Sequence, residues 1–241
     1  MRHLNSSAKE IFPFPHPQEH SPWFYEQSLY EKGFLAVGGV DEAGRGPLAG
    51  PVIASCVVLP CRQHDSFSYK DSKTLTASQR ESLFLKLQDS EAVIGVGRVD
   101  PQEIETLNIH QASLLAMRRA VSDCNGMLKD APLDFLLVDG KFKVPLPLAQ
   151  QPLIKGESRS YSIAAASIVA KVTRDKIMAA YHEQFPQYGF KKNQGYPTKE
   201  HRLAIKEHGI TPLHRQTFKG VREFVQDDER RHVAQEQQTL W

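Results

Sequence analysis

Apolar runs that end in carboxylates and glycines organise this chain. Phe34–Val40 and Val52–Leu59 are dense in apolar and β-branched residues, and turn residues separate them. They predict two strands in an antiparallel pair. Thr76-Ala77-Ser78-Gln79-Arg80-Glu81 opens a helix containing Leu83, Leu85 and Leu87, with Thr76 or Ser78 as its N-cap. Ala92–Val99 alternates apolar residues with glycine and reads as a strand. After Asp100-Pro101, Leu114, Leu115, Met117 and Val121 fall at helical spacing and are core positions. Phe135–Gly140 reads as a buried strand ending in Asp139, and Leu153–Ser158 as another ending in Glu157. A long helix follows from Ser162 to about Phe185; its Ala164-Ala165-Ala166 face suits close packing on a sheet. A last helix is expected from Lys199 to Glu207. Strands first, then strands alternating with helices, predict an α/β mixed sheet with flanking helices.

Before the first strand lies a Pro-, His- and aromatic-rich stretch, Phe12-Pro13-Phe14-Pro15-His16-Pro17 and then Trp23-Phe24-Tyr25. It reads as an extension packed irregularly on the domain, with a short helix at Phe24–Lys32 ended by Gly33. The expected organisation is therefore an extension at 1–32, a domain at 33–220 whose part from about 187 is helical, and a charged, Gln-rich tail at 221–241.

Composition narrows the function classes. The 241 residues carry a formal charge of only +2, so a nucleic-acid surface has to be a local patch. Cys56, Cys61 and Cys124 have no metal-ligand spacing and read as reduced thiols of a cytoplasmic protein. No segment reaches the roughly 20 apolar residues of a membrane span, so no membrane partner is expected.

Candidate chemistry begins at Gly39-Val40-Asp41-Glu42-Ala43-Gly44-Arg45-Gly46-Pro47-Leu48-Ala49-Gly50-Pro51-Val52. Gly44-x-Gly46-x-x-Ala49 formally fits a dinucleotide-binding turn. That reading fails on context, because Pro47, Gly50 and Pro51 interrupt the helix it requires. Two buried carboxylates cost free energy unless a metal compensates them. Asp41, Glu42, Asp139 and Glu157 together could hold two divalent ions about 3.5–4 Å apart, the arrangement that suits phosphodiester hydrolysis. Neighbours on a regular strand face opposite ways, so Asp41 and Glu42 share a site only if the strand ends or bulges between them.

The stretch from Gly39 to Val52 closely resembles the N-terminal motif of the bacterial ribonuclease HII family, and the likeness continues to about Phe218. It implies an RNase H-like fold with a C-terminal helical segment. It also implies an endonuclease acting on the RNA strand of RNA/DNA hybrids and on the 5′ side of single ribonucleotides embedded in DNA. The expected ends are 5′-phosphate and 3′-hydroxyl, and the expected cofactor is Mg²⁺ or Mn²⁺ in a two-metal site. Asp41, Glu42 and Asp139 match the family's metal-binding acids. Lys155-Gly156-Glu157 matches the segment of the fourth, with Glu where Asp is usual. Gly44-Arg45-Gly46 matches the loop that reads the ribonucleotide, Tyr196 the tyrosine that packs on the following deoxyribose, and Lys73 of Asp71-Ser72-Lys73 a phosphate contact. Asp175 matches too and reads as a structural partner on a helix surface. His201 and His214-Arg215 match positions expected to contact backbone or phosphate.

Two rival readings are another metal-dependent nuclease on a related fold and a nucleic-acid-binding module without turnover. Intact acids at all four positions argue against the second. Finally, Gln237-Gln238-Thr239-Leu240-Trp241 resembles the short peptide by which bacterial DNA-processing proteins dock on the sliding clamp. A terminus packed on its own chain is the alternative.

Overall fold

The computed structural model describes residues 21–60, 75–129 and 131–225. Among the described residues five strands form one mixed sheet: β1 (Val37–Ala43), β2 (Val52–Val58), β3 (Val93–Val99), β4 (Phe135–Asp139) and β5 (Ala149–Leu153). Their order is β3-β2-β1-β4-β5. The expected antiparallel β1–β2 pair forms, and β4 joins the other side of β1 in parallel. β1 starts and ends later than its apolar run implied. It continues through Asp41 and Glu42 to Ala43, because β2 keeps pairing with it there. The pairing with β4 stops at Val40↔Val138.

Helices cover both faces. On one side α4 (Ile109–Met127) lays Ala112, Ala116, Ala120 and Cys124 against Val52, Ala54 and Cys56. Gly95 and Gly97 allow this closeness: a Cβ at Gly97 would stand 2.0 Å from the Ala116 carbonyl oxygen. On the other side α5 (Tyr161–Gln184) presents the expected alanine face, and α2 (Ala77–Gln88) packs beside it. Thr76 caps α2 through a reciprocal capping box with Gln79. A Cβ at Gly39 would lie 2.2 Å from the Ser162 carbonyl carbon, so only glycine lets α5 cross β1 there.

The short helix expected at Phe24–Lys32 forms, and Phe12–Pro17 lie outside the described residues. α1 (Phe24–Glu31) buries Tyr25 and Leu29 against Val37, Phe135 and Ile163. Its buried Glu26 accepts hydrogen bonds from Ser160 Oγ, Ser162 Oγ and Ser162 N–H at the start of α5. After α3 (Pro101–Leu107) and the elements above, the chain ends its described part in a helical lobe. There α6 (Phe190–Asn193) and α7 (Lys199–His208) gather Tyr188, Phe190 and Ile205 around Met178 of α5 and Leu48. Among the described residues no helix is long and apolar enough to cross a membrane.

Candidate active site

Parallel pairing places the ends of β1 and β4 side by side. Ligand oxygens of Asp41, Asp139 and Glu157 all lie within 4.8 Å of one another. Asp139 is the last residue of β4. Glu157 does not end a strand as expected. β5 stops at Leu153, Lys155 takes a left-handed φ of 56°, and Glu157 sits in a 3-10 turn, Gly156–Ser158. The Gly156 N–H donates to Asp139 Oδ1 at 2.7 Å, which ties that turn to the end of β4.

Glu42 differs from these three acids. It lies on an unbulged stretch of β1, where the register runs Asp41↔Ser55 and Glu42↔Ala54 without interruption. Glu42 is outside the three-acid group, its carboxylate accepting a hydrogen bond from Arg45 Nη1 at 3.1 Å. It still lines the same cleft.

Asp41 is 5% exposed, and the Glu42 N–H donates to its Oδ1 at 2.7 Å. Burial raises its carboxyl well above the ordinary range, and the charges of Glu42, Asp139 and Glu157 push the same way. Burial also raises Glu42, against the pull of Arg45. A group of close carboxylates that resists ionisation in this way is relieved by a cation. An all-oxygen donor set suits a hard divalent ion such as Mg²⁺ or Mn²⁺.

The loop after β1 is held from beneath by two buried arginines. Arg215 donates to the carbonyls of Gly44, Arg45 and Gly50. Arg174 donates to those of Ala49, Pro51 and Gln194. Burial lowers Arg174 to about 10 and Arg215 to about 9, so both stay charged at neutral pH. Gly44 has φ 97°, and a Cβ there would stand 2.2 Å from Arg174 Nε. At Gly46 the space is open except for Tyr196 Cε1 at 3.5 Å. Tyr196, 44% exposed, lines the cleft beside this loop.

His201 and His214 are buried and meet the backbone, one of the two contacts expected of them. Their Nε2 atoms lie 3.1 Å apart, and His201 Nδ1 lies 2.9 Å from the Tyr196 carbonyl oxygen. Arg215 meets the backbone, as expected. Asp175 pairs with Lys171 on α5 at 2.7 Å. Cys61, Lys73 and the segment Gln237–Trp241 lie outside the described residues.

Arg80, Ser167, Lys171 and Arg174 also line the cleft, and sequence reasoning missed them. Ser167, Lys171 and Arg174 are spaced by four and three, one helix face, which is a signal the sequence did carry.

Residues 38–221 match the family model described as Ribonuclease HII. The Ribonuclease HII of Desulfotalea psychrophila is 54% identical over 217 residues, covering 90% of this chain and 95% of that protein. Two solved structures are similar in fold. The ribonuclease H2 from Pyrococcus horikoshii OT3 has a TM-score of 0.65 and 29% identity, over 79% of this chain and 97% of that one. The RNase HII in a PCNA complex from Archaeoglobus fulgidus has a TM-score of 0.57 and 25% identity, over 77% and 96%. The chain thus belongs to the ribonuclease HII family, enzymes that cleave the RNA strand of RNA/DNA hybrids with the help of metal ions.

Proposed function

We propose that this chain cuts hybrids and also the 5′ side of single ribonucleotides embedded in duplex DNA, leaving 5′-phosphate and 3′-hydroxyl ends. The observation that carries the reading is the convergence of Asp41, Asp139 and Glu157 beside Gly44–Gly46 and Tyr196 in one cleft. Asp41, Glu42, Asp139 and Glu157 would hold two Mg²⁺ or Mn²⁺ ions. Such ions supply activation of the attacking water and stabilisation of the leaving oxygen.

The chain's own residues supply recognition. Open space above Gly46 admits the sugar, and the backbone of Gly44–Gly46 reads the 2′-OH. Tyr196 packs on the next deoxyribose. Arg45, whose side chain is half exposed, exchanges the Glu42 carboxylate for a substrate phosphate, which frees Glu42 for metal. Lys73 adds a phosphate contact. The protein works in the cytoplasm. Gln237–Trp241 docks it on the sliding clamp, a reading supported by the Archaeoglobus fulgidus complex.

The test is cleavage of three duplexes, with one embedded ribonucleotide, with a continuous hybrid and with DNA alone, in Mg²⁺, Mn²⁺ or chelator. The first two are cut only with metal and the third never. Cleavage of the all-DNA duplex, or none at the single ribonucleotide, would overturn the reading. For the tail, deletion of 237–241 abolishes clamp binding and leaves cleavage of a short duplex unchanged. Absence of clamp binding by the intact chain would refute docking.

A further inference from the structure

The bonds around the two buried histidines admit one set of tautomers. Thr211 N–H donates to His214 Nδ1 at 3.0 Å, so that nitrogen carries no proton. The His214 proton is therefore on Nε2 and is donated to His201 Nε2 at 3.1 Å. That leaves the His201 proton on Nδ1, donated to the Tyr196 carbonyl at 2.9 Å. The chain of bonds runs one way, from Thr211 to Tyr196, among the rings of Tyr188 and Phe190. The residue after His214 is Arg215, which grips the carbonyls of Gly44 and Arg45.

We propose that His201, His214 and Arg215 are positioning residues that fix the spacing between the Gly44–Gly46 loop and Tyr196. Two adjacent residues reach the two recognition elements from one backbone segment, Arg215 directly and His214 through His201. Two backbone bonds brace the same segment: Arg215 N–H to Leu48 O and Leu48 N–H to Gly195 O, both at 2.8 Å. Selectivity for an RNA-to-DNA junction then depends on this spacing, whereas a continuous hybrid tolerates a shift of Tyr196. The inference rests on the junction-reading role proposed for Tyr196.

Cleavage of the single-ribonucleotide duplex and of the continuous hybrid is compared for wild type, Tyr196→Ala, His201→Phe, His201→Asn and Tyr196→Ala with His201→Phe. His201→Phe loses about tenfold in kcat/KM on the single ribonucleotide, and markedly less on the hybrid. His201→Asn, whose amide can still donate to the Tyr196 carbonyl, recovers most of that loss. The double variant is no worse than Tyr196→Ala alone. Equal loss on both substrates in His201→Phe, with a normal pattern in Tyr196→Ala, overturns the proposal and spares the Tyr196 reading. Equal loss in Tyr196→Ala overturns both. A ¹⁵N spectrum of the unmodified protein checks the tautomers without any variant: a proton on His201 Nε2 refutes the arrangement.

Discussion

The Gly156 N–H and the Asp139 carboxylate, 2.7 Å apart, join the turn carrying Glu157 to the end of β4. This bond orients Asp139 and sets where Glu157 begins. A Cβ at Gly156 would meet Ile163 Cδ1 at 2.6 Å and Asp139 Oδ1 at 3.1 Å. Gly156→Ala should therefore weaken metal activation about tenfold while costing stability only about 1–2 kcal/mol. Metal titration of the cleavage rate beside a urea melt checks it, and unchanged activation would contradict it.

Asp41→Asn and Asp139→Asn should abolish detectable turnover at saturating Mg²⁺. The folded-state pKa of Asp41 is raised, so its ionised form burdens the metal-free protein at neutral pH. Asp41→Asn should accordingly melt higher than wild type in chelator, and gain less from added Mn²⁺. Near-normal cleavage by either variant would remove that acid from the metal site.

Gly44 and Gly46 should respond differently to alanine. Gly44→Ala meets a positive φ and the Arg174 side chain and should lose about 3 kcal/mol of stability. Gly46→Ala has room and should melt like wild type, yet cleave poorly because the methyl group blocks the sugar's approach. Thermal melts and kinetics on both variants separate the two effects.

Tyr196→Ala should lose about tenfold more activity on a single embedded ribonucleotide than on a continuous hybrid. Its side chain is exposed, so stability should hold. Equal losses would make it a general packing residue.

Acid should destabilise the fold through His214. Burial, and then His201, lower its pKa from 6.5 to about 4. A depressed folded value means the stability is intact above pH 6.5 and is lost as the pH falls towards 4. At pH 5 the loss is about 2 kcal/mol. Urea melts of wild type and His214→Gln at pH 7.5 and pH 5 check this: the variant should show a smaller drop. Parallel drops would refute it.

Asp41 and Asp139 were legible as buried acids because each follows an apolar run directly, a pattern with a physical cost that demands compensation. The turn at Glu157 was not, because Leu153-Ile154 continues the apolar pattern while the β4 pairing is already complete at Leu153. Arg174 and Arg215 were illegible as buried residues. Arginine is exposed by default, and only the folded loops supply the carbonyls that hold these two. The histidine pair joins positions 13 apart through a reversal that spacing alone does not reveal.

β1 and β4 lie inside the sheet, each paired on both sides. Their amides should be among the slowest to exchange with solvent, opening only with the whole fold. Tyr196 stands on a lobe outside the sheet, joined to it through the apolar cluster around Met178 and Leu48 and through the bonds of Arg174 to the Ala49 and Gln194 carbonyls. Asp41 and Asp139 thus ride on strands expected to be the best protected, whereas Glu157 and Tyr196 ride on a turn and a lobe beyond the sheet.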